Sequence, residues 1–132
     1  MVILDACAVI AYLRNEEGTD IVGNALMSEK CYIHAINICE VYKDCLSRGE
    51  DRSEADQLLD DLFSAGLTVC EDMDSEFWKD AAELKASTRR ISYADCIGLR
   101  LTNRLKGIFL TSDHHELDPL AKNDIYPIKF IR

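Results

Sequence analysis

Val2-Ile3-Leu4-Asp5 is a short apolar run, two of its three residues β-branched, that ends abruptly on a carboxylate. Such a run reads as a buried strand, and the acid then stands where the chain leaves the strand. The figure recurs near the other end of the chain, where Ile108-Phe109-Leu110 is followed by Thr111-Ser112-Asp113. Cys31–Ile36, Leu67–Cys70 and Tyr126–Ile131 read as further strands. Pro127 lies within the last of them and cannot donate to a ladder, which predicts an edge strand or a late start.

Longer amphipathic stretches lie between these runs. Helices are predicted over Ala8–Leu13, Thr19–Ser28, Ile38–Arg48, a segment capped by Ser53 and stopped by Gly66, Ser75–Arg89 after Asp74, and Tyr93–Lys106 after Ser92. Strands alternating with helices define βαβ units around a mainly parallel sheet with helices on both faces. The expectation is an α/β protein, a single-domain three-layer α/β/α sandwich over residues 1–132. Hydrophobic residues make up 48% of the chain, against two prolines and six glycines, which excludes collagen-like and disordered classes. No apolar run reaches the roughly 18 residues of a membrane span. The first residues lack the basic and apolar regions of a secretory signal, so a cytoplasmic protein is expected.

Six cysteines, at positions 7, 31, 39, 45, 70 and 96, form no C-x-x-C knuckle. They are expected to be buried, reduced thiols acting as small hydrophobes. Adjacent His114 and His115 do not supply zinc-ligand spacing.

The net charge of −9 disfavours nonspecific nucleic-acid binding, but it is unevenly placed. Glu50 to Glu76 holds ten acids and one base, and the rest of the chain is balanced. Lys85 to Lys106 holds six bases and one acid, Asp95. Solvated helix faces explain either run alone; a local basic groove remains compatible with both.

In an open parallel sheet, ligands bind beyond the carboxyl ends of the strands. Asp5 and Asp113 leave strands at that end. Glu40 and Asp95 fall in the first turns of the helices after Cys31–Ile36 and Ser92. Each has a structural explanation as well: Asn37-Ile38-Cys39-Glu40 and Ser92-Tyr93-Ala94-Asp95 have capping-box spacing, and Asp5 and Asp113 suit turns. Together they are harder to explain structurally. Two carboxylates ~4 Å apart repel by about 4 kcal/mol at an effective dielectric near 20, so a cluster needs a cation or protons. Oxygen-only donors select Mg²⁺ or Mn²⁺.

These segments resemble those of PIN-domain ribonucleases, in particular the VapC-type toxin branch. Ile3-Leu4-Asp5-Ala6-Cys7-Ala8-Val9-Ile10, Ile36-Asn37-Ile38-Cys39-Glu40-Val41, Ile91-Ser92-Tyr93-Ala94-Asp95-Cys96-Ile97 and Phe109-Leu110-Thr111-Ser112-Asp113 are similar to its four motifs, in order. The ending Ile128-Lys129-Phe130-Ile131-Arg132 resembles its last strand. The resemblance implies a metal-dependent endoribonuclease in which Asp5, Glu40, Asp95 and Asp113 bind Mg²⁺ or Mn²⁺. It also implies a homodimer, and a cognate antitoxin whose tail blocks the site. The chain departs from the pattern at Cys7, where the family often has serine, threonine or asparagine; Thr111 keeps the expected hydroxyl. Arg89, Arg90, Arg100 and Arg104 are the candidates to hold an RNA backbone.

Three other readings stay open. A phosphorelay receiver shares the size and the acidic pocket, but needs an acid pair after the first strand, where Asp5 is followed by Ala6. A PIN-like module that binds metal or a partner with weak or no turnover is the alternative that Cys7 favours. A nuclease of the same chemistry acting on DNA is the third.

Overall fold

The sheet is parallel throughout, in the order β3 (Leu67–Cys70), β2 (Cys31–His34), β1 (Val2–Leu4), β4 (Ile108–Thr111), β5 (Ile128–Phe130). The computed structural model describes residues 1–123 and 126–132. Among them, the elements are β1 (Val2–Leu4), α1 (Ala6–Leu13), α2 (Thr19–Ser28), β2 (Cys31–His34), α3 (Ala35–Ser47), α4 (Arg52–Ser64), β3 (Leu67–Cys70), α5 (Ser75–Ser87), α6 (Tyr93–Leu105), β4 (Ile108–Thr111), α7 (His114–Lys122) and β5 (Ile128–Phe130).

Alternation along the strands divides the core into two. Val2, Leu4, Ile33 and Leu110 pack under α1–α4 with Val9, Val22, Val41 and Leu62. Ile3 and Phe109 face the other way, against Phe77, Leu84, Leu101, Leu117 and Leu120 of α5–α7. A period of two residues in a strand buried on both faces gives the three layers. β5 lies at the sheet edge and begins after Pro127, as the proline requires. No helix among the described residues is long and apolar enough to cross a membrane.

Several boundaries differ from the sequence reading. β2 stops at His34 rather than running to Ile36, because the His34 imidazole caps α3 by accepting from the Ile36 N–H (3.1 Å). Its Nε2 donates to the Asp72 carbonyl at 2.8 Å, which fixes the ring. Asn37 is therefore inside the helix and caps nothing. The α4 cap is Asp51, which forms a full capping box with Glu54, not Ser53. α5 ends at Ser87, and Asp74 precedes it without a side-chain cap because its carboxylate is taken by Arg104. At the end of α6 the left-handed residue is Lys106 (φ 56°), while Gly107 is needed for close approach: a Cβ there would stand 2.5 Å from Ile3 Cδ1. α7 is absent from the sequence reading altogether; Pro119 inside it disguised the pattern.

The cysteines are all unpaired thiols, but only Cys31, Cys45 and Cys96 are buried. Cys7 and Cys39 are exposed, since α1 begins two residues earlier than predicted and α3 turns Cys39 outward.

Candidate active site

β1 is flanked by β2 on one side and β4 on the other, so the chain departs in opposite directions around it. That arrangement opens a crevice beyond the carboxyl ends of β1 and β4. Asp5 and Asp113 lie at those two ends. The Asp5 N–H donates to the Leu110 carbonyl (3.1 Å), locking the two strand ends together.

Asp5 is 2% exposed and serves as the N-cap of α1, its Oδ1 accepting from the Ala8 N–H at 2.8 Å. Burial pushes its carboxyl up to about 7. Hydrogen bonds from Thr111 and Ala8 oppose that shift, and the charges of Asp113 and Glu40 add to it. Asp113 caps α7 by accepting from the Glu116 N–H (3.2 Å), and its own N–H donates to the buried Thr111 hydroxyl (3.0 Å). Thr111 thus positions both strand-end acids.

Asp95 stands in the first turn of α6, where its N–H donates to Ser92 Oγ at 3.1 Å. Among the described residues the reciprocal half of the capping box is not made. Its carboxyl lies instead with those of Asp113 and Glu116: one oxygen from each of the three lies within 4.8 Å of the others. Asp95 is pushed up to about 8, by burial first, then by the hydrogen-bonded Glu116 carboxyl and the charge of Asp5. Close packing of α6 brings it here. A Cβ on Gly98 would stand 2.7 Å from the Phe109 ring and 3.3 Å from Asn37 Nδ2, so α6 sits against β4 and α3 with no room for a side chain.

Glu40 lies in the second turn of α3, not the first, because the helix starts at Ala35. It is exposed and raised by desolvation. Asp5, Glu40, Asp95, Asp113 and Glu116 line one cleft of about 180 Å³, together with Cys7 and Asn37. All four acids singled out from the sequence therefore meet. Glu116 was missed, although Asp113-His114-His115-Glu116 has capping-box spacing. Cys7, exposed at the rim, has its thiol pushed up to about 12 by desolvation and then by Asp5 and the other cleft acids. It stays protonated.

The donor set suits a hard divalent cation. It is all oxygen, and it holds like charges crowded enough that Asp5 and Asp95 have raised proton affinities.

The four candidate arginines separate into two pairs. Arg89 and Arg90 are exposed and line a pocket that shares Glu116 with the acidic cleft. Arg100 and Arg104 lie along α5 instead. Arg100 Nε donates to the Asp80 carbonyl (3.1 Å), and Arg104 bonds Asp74 (2.7 and 3.1 Å) and Asp72 (3.0 Å) above the Phe77 ring. These acids hold the Arg104 guanidinium above its ordinary value, and Arg104 holds Asp74 below. Arg104→Ala is expected to lower the melting temperature, since it frees both Asp72 and Asp74; an unchanged melting temperature in a thermal scan would show that these pairs hold nothing together.

A family model, PIN domain, matches residues 2–122, and the chain belongs to that family. Solved structures with the same fold include a toxin-antitoxin complex from Klebsiella pneumoniae, with a TM-score of 0.78 at 11% identity, covering 100% of this chain and 98% of that one. VapBC2 from Rickettsia felis, bound to a DNA fragment from its promoter, gives 0.72 at 11% identity, covering 98% of each chain. PAE2754 from Pyrobaculum aerophilum gives 0.66 at 21% identity, covering 98% of this chain and 88% of that one. No curated protein matches the chain by sequence.

Proposed function

We propose that this protein is a metal-dependent endoribonuclease, the toxin of a toxin-antitoxin pair, acting in the cytoplasm as a homodimer. The observation that carries the reading is the convergence of five carboxylates, from the β1–α1 junction, α3, α6, the β4–α7 junction and α7, on one cleft at the switch point of the sheet. Family membership supports the nuclease chemistry. The toxin-antitoxin assemblies among the structural neighbours suggest the setting.

Asp95, Asp113 and Glu116 would hold Mg²⁺ or Mn²⁺, with Asp5 and Glu40 completing the acidic wall. When bound, the ion supplies polarisation of water and compensation of charge on the phosphoryl oxygens. The chain's own residues do the positioning. Thr111 and the Ala8 N–H hold Asp5 in place, and the α7 N-terminus holds Asp113. A carboxylate of the cleft takes the proton of the attacking water.

Cys7 supports the second reading, a PIN-like module that binds metal or a partner with little turnover. A protonated thiol is a weak hydrogen-bond donor, and it stands at the cleft rim. Incubation of the pure protein with a structured RNA and the matching DNA, in Mn²⁺ or in a chelator, decides between them. Internal cleavage of RNA alone, abolished by chelation, is expected. DNA cleavage instead would move the substrate class, and a metal-induced thermal shift with both polymers intact would establish the binding module.

A further inference from the structure

At Glu116 the acidic cleft adjoins a second pocket of about 190 Å³. Its floor is apolar: Ile91 and Leu120, both buried, with exposed Pro119. Its rim carries the guanidinium groups of Arg89 and Arg90. Neither has a carboxylate within ion-pair distance among the described residues; Arg52 and Arg100 lack one as well, while Arg14, Arg48, Arg104 and Arg132 are paired. The loop that bears them is held in shape. Lys85 Nζ donates to the Arg89 carbonyl (3.0 Å) and the Ile91 carbonyl (2.7 Å), the Ile91 N–H donates to the Thr88 carbonyl (3.2 Å), and the Thr88 hydroxyl bonds the Leu84 carbonyl.

A nucleic-acid strand alternates charged phosphates with flat, largely apolar bases. An acidic, cation-suited cleft and an apolar pocket with a cationic rim, sharing one wall, match that alternation. We infer that the Arg89–Arg90–Ile91–Leu120 pocket seats the base of the nucleotide flanking the cleaved phosphodiester, and that the base is a purine with guanine preferred. Single-stranded bases are recognised by stacking on apolar or guanidinium surfaces and by bonds to their edges. The two rim guanidinium groups of Arg89 and Arg90 offer donors only, and guanine presents two adjacent acceptors, O6 and N7, that a guanidinium meets together. Adenine presents a donor at one of those positions.

The inference rests on the nuclease reading, and a binding test without turnover separates their failures. Methyl NMR spectra of the whole protein are followed during titration with guanosine 5′-monophosphate, adenosine 5′-monophosphate, ribose 5-phosphate and a short acidic peptide. The guanosine nucleotide is expected to shift the Ile91 and Leu120 methyls at concentrations where ribose 5-phosphate leaves them in place, with adenosine 5′-monophosphate binding more weakly. Arg90→Ala or Arg89→Ala, both at exposed positions, is expected to weaken that binding by about tenfold. An equal response to ribose 5-phosphate marks an anion site only and overturns the inference. Unmoved methyls overturn it as well, as does a response to the acidic peptide alone, which marks a protein-docking pocket. Guanosine binding in a protein that cuts no RNA removes the nuclease reading and leaves the pocket. RNA cleavage with silent Ile91 and Leu120 does the reverse.

Discussion

Asp5→Asn is expected to yield a folded protein in which the proposed metal-dependent RNA cleavage falls by roughly 10²- to 10³-fold or more, the scale set by losing one preorganised electrostatic group. The fold survives because asparagine is as good an N-cap as aspartate. Its side-chain oxygen keeps the bond from the Ala8 N–H that starts α1. What disappears is the charge. Ionising Asp5 in the folded, metal-free protein requires raising its carboxyl from the ordinary 3.8 to about 7, a differential of the order of 4 kcal/mol. At pH 8 and without metal, the variant therefore melts higher than the parent. Asp5→Ala sheds the same charge but also the cap, worth ~1 kcal/mol, so it melts below Asp5→Asn. The pairing of lost cleavage with gained stability is the signature of an acid kept for function, because a purely structural cap would lose neither. Undiminished cleavage by Asp5→Asn, in a gel assay with Mn²⁺, would remove the site.

The strand-end acids were the most legible part of the molecule. An apolar β-branched run ending on a carboxylate fixes both the strand and the end at which the acid emerges, and parallel pairing then brings Asp5 and Asp113 to one edge. The helix acids were legible as candidates but not in position. Asp95 sits as its Ser92 cap predicts. Glu40 lies a turn further along, because histidine is not read as an N-cap and His34 acts as one through a ring held by Asp72. Glu116 is hidden for a different reason: Pro119 disfavours a helix in this segment, so sequence alone gives little sign that Asp113 caps one. The arginines show the limit of linear charge counting. Arg100 and Arg104 share a helix face with spacing i, i+4, yet Arg104 meets the Asp72 and Asp74 carboxylates of the acidic run while Arg100 bonds the Asp80 backbone carbonyl. Only the tertiary fold pairs the acidic run with the basic one, and it leaves Arg89 and Arg90 as the pair beside the cleft.

Mn²⁺ is expected to raise the melting temperature far more at pH 8 than at pH 6. Asp5 at about 7 and Asp95 at about 8 both lie above ordinary carboxyl values in the folded, metal-free protein. Between an unfolded-state value near 4 and those folded-state values, the native protein binds more protons than the unfolded chain. The stability these two groups contribute is fully present below about pH 4 and is lost as pH rises through 7 and 8. The metal-free melting temperature attributable to the cleft thus falls with rising pH. A cation that takes the place of those protons must displace both at pH 6, whereas at pH 8 that of Asp5 is largely gone and that of Asp95 is about half gone. Its affinity rises by up to about tenfold per displaced proton per pH unit. At about 100 times its dissociation constant the ion stabilises the fold by ~2.7 kcal/mol, which for a domain of this size is roughly 8–12 °C. Differential scanning with and without Mn²⁺ across pH 6 to 8 measures the difference directly, and Asp95→Asn should flatten it by removing one of the two titrating carboxyls. A metal-induced shift that is independent of pH, or larger at pH 6, would mean that the ion binds elsewhere and that the proton-holding acids of the cleft are not its ligands.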